Sequence, residues 1–183
     1  MTVIVASFDD APSVTAAVES RTITGQAVPY NDPGRPASSL GGRGMAFLHG
    51  SLDRSLQARA DKVRLLVQHD AAHPIGRLLD WRNTDEGLET TWKVARTPAG
   101  DLALAEASEG VRDGLSVGVE ILDYEDRDGY VNVTEAKLLE VSLVSLPAYD
   151  RARVHRVAAS QPMQGRDPRT LRLHMLLKGQ NLV

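Results

Sequence analysis

Residues Gly114–Ala148, GLSVGVEILDYEDRDGYVNVTEAKLLEVSLVSLPA, decide how this chain folds. The stretch holds three strand-like runs, GLSVGVEILDY, YVNVTEAK and LLEVSLVSLPA, with a DRDG turn between the first two. Alternation in the first run puts Leu115, Val117, Val119 and Ile121 on the core side and Ser116, Gly118 and Glu120 on the other. In the last run Leu139, Val141 and Leu143 point one way, and Glu140 and Ser142 the other. A serine and an acid therefore project from the polar faces of two strong strands.

The segments before this stretch supply the rest of a sheet. RTITGQAV alternates, Ile23 and Gly25 against Thr22 and Thr24, and stops at Pro29; NDPGRPASSLGGRG is loop. Ser51 is expected to cap a helix running through Arg59, with Leu52, Ser55, Leu56 and Arg59 on one face. KVRLLVQH then reads as a strand carrying Val63, Leu65, Val67 and His69 on one side. IGRLLDWR and LETTWKVA flank the turn sequence NTDEG, which predicts a hairpin. Thr97-Pro98 opens a second helix as cap and first-turn proline. Its apolar stripe is expected at Leu102, Ala105, Ala107 and Val111, and its end near Asp113-Gly114. At least six strands with two interspersed helices predict an α+β fold: a mostly antiparallel, closed, barrel-like sheet with a few flanking helices.

The chain has 183 residues, enough for one domain with tails. Residues 1–20 are expected as an N-terminal segment, 21–157 as the domain and 158–183 as linker and tail. Within that tail LRLHMLLKGQNLV has apolar residues at helical spacing, a candidate amphipathic helix or docking peptide. Hydrophobic residues make up 42% and charged residues 25%, ordinary soluble usage. Aromatics are only 4%, so the core must be aliphatic. A net charge of -3 argues against a nucleic-acid partner, which needs a basic surface. With no cysteine, disulfides, thiolate metal sites and a cysteine nucleophile are excluded. MTVIVASFDDAPSV has no basic start and meets acids early, so no signal peptide is expected. No apolar run reaches the roughly 18 residues of a membrane span.

Four further polar features bear on chemistry. His69 and His73 are four apart, a spacing that serves a metal only on a helix, and Pro74 disfavours helical geometry at His73. No metal or cofactor is therefore expected; Asp70 reads as a turn-capping residue and His73 as a surface residue. His69, ending the apolar face of a strand, reads either as a satisfied structural histidine or as a base. Gly114–Gly118 fits the bare G-x-S-x-G expression, yet it runs from helix to strand, the reverse of a nucleophile elbow. Ser116 reads as a solvent-facing serine or, beside Gly118, as a hydroxyl with open space for a substrate backbone. Glu140 is a solvated acid or the orienter of a base; serine, histidine and carboxylate on three strands are the ingredients of a triad.

Taken together, the ordered segments RTITGQAVPY, GMAF, VRLLVQHD followed by PIGR, DEGLETTWKVARTPAG, GLSVGVE and LLEVSLVSLPAYDRARV resemble the prohead maturation proteases of tailed bacteriophages. These serine peptidases are related to the herpesvirus assemblins, and the likeness covers Arg21 to Val154. It implies His69 as base and Ser116 as nucleophile, with Glu140 in register as the third member, and an assemblin-like fold. Backbone N–H groups and Arg151 or Arg153 are the expected oxyanion donors. The resemblance further implies action in the host cytoplasm, inside the assembling prohead. Its substrates there would be scaffold, or a scaffold-like segment of the major capsid protein, and the protease itself. A homodimer and a self-cleavage site or capsid-targeting peptide within 158–183 belong to the same set of expectations; a membrane does not. Two rival readings remain: a non-catalytic assembly or scaffold-binding module of this fold, and a metal-dependent hydrolase built on His69, Asp70 and His73. One difficulty also stands. Alternation sends His69 toward the core face, whereas Ser116 and Glu140 face away from theirs, so the strand must bulge, end before His69 or be covered by a helix.

Overall fold

The computed structural model describes residues 20–35 and 41–159. In chain order these form β1 (Thr22–Pro29), β2 (Gly44–Phe47), α1 (Asp53–Arg59) with a single 3-10 turn after it, β3 (Arg64–Val67) and β4 (Asp70–Asn83). Then come β5 (Gly87–Val94), α2 (Pro98–Ser108), β6 (Gly114–Arg127), β7 (Tyr130–Val144) and β8 (Val154–Ala158). The N-terminal segment and the tail beyond Ala159, with its candidate helix, lie outside the described residues.

The sheet is built on β7. YVNVTEAK and LLEVSLVSLPA are not two strands: no glycine or proline interrupts them, and they merge into one of 15 residues. One edge of β7 takes β6, antiparallel from Arg127↔Tyr130 to Gly114↔Val144. The other takes β2 against Tyr130–Val133 and β3 against Glu140–Leu143, both parallel. From β3 the order runs through β4, β5 and β1 to β8. The expected closed, mostly antiparallel barrel is thus corrected: the sheet is mixed and open. It is mixed because α1 lets the chain return in the same direction, which a parallel neighbour requires. It is open because β8 meets β6 through no ladder, only through the bridge Gly114↔Arg153.

Among the described residues no strand pairs with the edge of β7 between β2 and β3, and α1 with the turn before it serves that edge instead. The Ala136 N–H donates to the Ser51 carbonyl, the Leu138 N–H to Ser55 Oγ, and the Arg59 guanidinium to the Leu138 carbonyl. Backbone polar groups in a buried edge need such partners. Leu52 and Leu56 are buried on the expected face. The cap is a correction: the N-cap is Leu52 with no side-chain bond, and buried Ser51 Oγ has no hydrogen-bond partner among the described residues.

Helix α2 starts as expected, Thr97 accepting the Gly100 N–H ahead of Pro98. Its buried face is Gly100, Ala103, Leu104 and Ala107, and the stripe read from the sequence is off by a rotation, with Leu102 and Val111 exposed. The left-handed glycine that ends it is Gly110 (φ 71), earlier than expected. Trp92, Phe47, Leu65, Ile75, Leu88, Leu115, Leu138 and Leu143 are fully buried and Tyr30 and Tyr149 nearly so, an aliphatic core with four rings.

The segment entering β8 is clipped to both β1 and β6. Arg153 accepts the Gln26 N–H, and the Leu115 N–H donates to the Ala152 carbonyl. This close approach needs Gly25, where a Cβ would land on the Arg153 carbonyl oxygen and 2.8 Å from Val154 Cα. Both obstacles are backbone. Gly25→Ala is therefore expected to lower stability by roughly 1–3 kcal/mol, the usual cost of overpacking, as read from the denaturant midpoint at unchanged slope.

Candidate active site

Strand β3 stops at Val67, and the chain turns back into β4 through two residues only. Val67 and Asp70 are paired across the turn, while Gln68 (φ 51) and His69 (φ 60) are both left-handed, the pattern of a type I′ hairpin. Such turns are normally built from Asn and Gly; for other residues the conformation costs roughly 1–2 kcal/mol each. Two hydrogen bonds hold it here: Gln68 N–H to the Leu143 carbonyl at 3.1 Å and His69 N–H to Ser142 Oγ at 2.9 Å. The turn answers the difficulty posed by alternation. The strand ends before His69, and the imidazole leaves the Val63 and Leu65 side for the opposite face of the sheet.

That face is laid out by the β6–β7 ladder. Ser116 lies opposite Ser142 and Gly118 opposite Glu140, so all four share one side, while Leu115↔Leu143 and Val117↔Val141 take the other. Ser116, buried at 9% exposure, has its Oγ 3.0 Å from His69 Nε2. His69 Nδ1 is 2.7 Å from Glu140 Oε1, and the second carboxylate oxygen accepts from Ser142 Oγ at 2.8 Å. The side chain of His69 is 45% exposed and that of Glu140 16%. The hydrogen bond that the ring donates to Glu140 raises the His69 pKa above its ordinary value, opposed in part by burial of the ring. With the carboxylate accepting Nδ1–H, Nε2 carries the lone pair and accepts the Ser116 hydroxyl.

The structure thus brings Ser116, His69 and Glu140 into one hydrogen-bonded row. It does not bring in Asp70 or His73, which pair with each other at 2.6 Å in an exposed position, with Asp70 also accepting the Ala72 N–H. Among the described residues no three His, Cys, Asp or Glu side chains converge to hold a metal ion. Arg151 bonds to Asp32 and the Tyr30 carbonyl; Arg153 bonds to Asp113 and the Asp150 carbonyl. None of these bonds reaches the row.

Two further residues complete the site. Ser142, which alternation places beside Glu140 without giving it a task, links the histidine backbone to the carboxylate. Gly118 has a different use from the one expected: the space above it is filled by Glu140. A Cβ there would land on Glu140 Oε1 and 3.0 Å from its Cγ. Shape alone does not locate the row. A cavity of about 370 Å3 over β1, β4, β5 and β8, lined among others by Thr22, Thr24, Trp81, Thr91 and Arg156, contains none of its members.

Residues 10–166 match the model of the caudovirus prohead serine protease family. The chain belongs to this family. No curated protein matches it in sequence. Among similar solved structures, the bacteriophage T4 capsid assembly protease gp21 aligns at 14% identity, over 69% of this chain and 80% of that one, with a TM-score of 0.52. The Kaposi's sarcoma herpesvirus protease in complex with a hexapeptide phosphonate inhibitor aligns at 14% identity, covering 88% and 77%, with a TM-score of 0.45. For the varicella-zoster virus protease the values are 12% identity, 87% and 77%, and 0.46. At these identities the T4 likeness is one of fold. Family membership makes the chain a serine protease of head maturation, with proteins of the capsid or scaffold as substrates, acting within the assembling prohead in the host. No helix among the described residues is long and apolar enough to cross a membrane.

For this prohead protease, Gly118→Ala is expected to displace the flexible end of Glu140 rather than the backbone. Stability should stay within about 1 kcal/mol, while the His69 pKa falls, followed through the imidazole proton signals in an NMR titration.

Proposed function

We propose that Ser116, His69 and Glu140 form the catalytic triad of this protease, as nucleophile, base and orienter. The observation that carries the reading is a single imidazole bonded through Nε2 to Ser116 Oγ and through Nδ1 to Glu140. Serine at its ordinary acidity is a poor nucleophile and needs a base within reach. As Oγ attacks the scissile carbonyl carbon, its proton passes to Nε2, and Glu140 stabilises the imidazolium. The tetrahedral oxyanion collapses, the C–N bond breaks, and the amine leaves with the proton from Nε2. Water then attacks the Ser116 ester with His69 again as base, releasing the acid and restoring the hydroxyl. A binding module without catalysis would leave this three-residue row without a task, and among the described residues no third metal ligand joins the Asp70–His73 pair.

The proposed catalytic domain spans residues 21–157, flanked by 1–20 and by the tail 158–183, in which self-cleavage or capsid targeting is placed. Co-expression with the major capsid protein tests the assignment. Wild type should yield a shortened capsid chain, and Ser116→Ala should leave it full length, with a loss of several orders of magnitude in rate. Undiminished cleavage by that variant would overturn the triad.

The pH dependence follows from the raised His69 pKa. Only neutral imidazole accepts the serine proton, so activity should rise with pH through a titration above the ~6.5 of free imidazole. Glu140→Gln should lower the maximum and move that limb to lower pH. The sign for stability is opposite: a raised folded-state pKa stabilises below the unfolded value, and the contribution fades as pH rises through the folded one.

A further inference from the structure

Ser142 stands two residues beyond Glu140 on β7, opposite Ser116 on β6 and beside Leu66 on β3. It is completely buried at 0% exposure. The His69 backbone N–H only donates, so it takes a lone pair of Ser142 Oγ, at 2.9 Å. Ionised Glu140 only accepts, so the single Ser142 proton points to Oε2, at 2.8 Å. The result is a closed loop whose bonds meet at the carboxylate: the His69 amide donates to Ser142, Ser142 donates to Glu140, and His69 Nδ1–H donates to the same carboxylate. One hydroxyl thereby fixes both the backbone that carries the base and the carboxylate that aims it.

From this loop we infer that Ser142 is a positioning residue of the proteolytic site, holding the imidazole of His69 over Ser116 without touching substrate. The inference rests on the triad reading. Two features separate it from ordinary packing. The amide it holds belongs to a left-handed non-glycine residue, which persists only where its surroundings over-determine it. The carboxylate it holds sits above Gly118, where no Cβ restrains it, so Ser142 supplies the lateral restraint. A network of this kind acts through geometry, and its loss should appear in the chemical step rather than in binding.

The test uses the purified full chain and a fluorophosphonate probe. Ser116 Oγ forms a bond to phosphorus, fluoride leaves, and the proton goes to His69. Ser142→Ala should lower the maximal labelling rate roughly 10- to 100-fold, as expected for a lost bond to a charged group, with the probe's half-saturating concentration within about twofold. The acid limb of the rate should move to lower pH, in the direction of Glu140→Gln. Ser142→Thr, which keeps the hydroxyl, should recover most of the rate. Ser142→Cys fills the same space with a weak donor and should show both changes at smaller size, covering the case in which the alanine variant does not fold. Folded alanine or cysteine variants with wild-type rate and an unmoved limb overturn the inference, as does a loss that only tracks the folded fraction. Ser116→Ala separates the two ideas: if it labels like wild type, the triad reading itself fails and takes this inference with it.

Discussion

A two-residue turn in the left-handed conformation governs the site. Strand geometry sends successive side chains to opposite faces, and a straight continuation of β3 would have driven the His69 ring toward Val63 and Leu65, into the aliphatic core. The positive φ angles of Gln68 and His69 break that parity. They cost free energy locally, and the cost is offset by bonds that the two amides donate to β7, to the Leu143 carbonyl and to Ser142 Oγ. The fold is thus strained at the place where it does something unusual, and the restraint comes from the strand that also carries the carboxylate.

Strand β7 is the common reference for every member. It pairs with β3 on one edge and β6 on the other, so the histidine turn, the acid and the serine are set apart by ladder spacings of about 5 Å rather than by loop conformations. Groups 24 to 71 positions apart in sequence become neighbours through two registers, Arg64↔Glu140 and Ser116↔Ser142. Sites on paired strands are more precise than sites on loops. The clip of Ala152 on Leu115 adds a further constraint one residue before the serine.

Much of this was legible in the residues, and the failures have physical causes. The Thr97-Pro98 helix start, the NTDEG hairpin and the DRDG turn are local chemistry, and each is where the sequence places it. Strand direction is not local. Alternation around Val131 or Leu65 says which face is buried but nothing about whether β2 and β3 run with or against β7, so a mixed, open sheet reads as closed and mostly antiparallel. Alternation puts Val117 and Val141 on the face they take, and Ser116 and Glu140 on theirs. His69 is the exception: Gln and His carry no turn signal, and the β-rich approach hides the reversal. Periodicity leaves it open between a structural histidine and a base, and only the family resemblance favours the base. Gly118 shows the complementary limit, since a bare backbone position announces room without saying which neighbour occupies it.

The helix lying along the middle of β7 has a consequence for behaviour in a crowd. An unpaired strand edge is a template on which another chain can zip, and natural sheets blunt such edges by covering them. Ser51, Ser55 and Arg59 occupy the amide and carbonyl groups that would otherwise offer that template. A strand of 15 residues can therefore stand in this sheet without its middle offering an open edge to another chain.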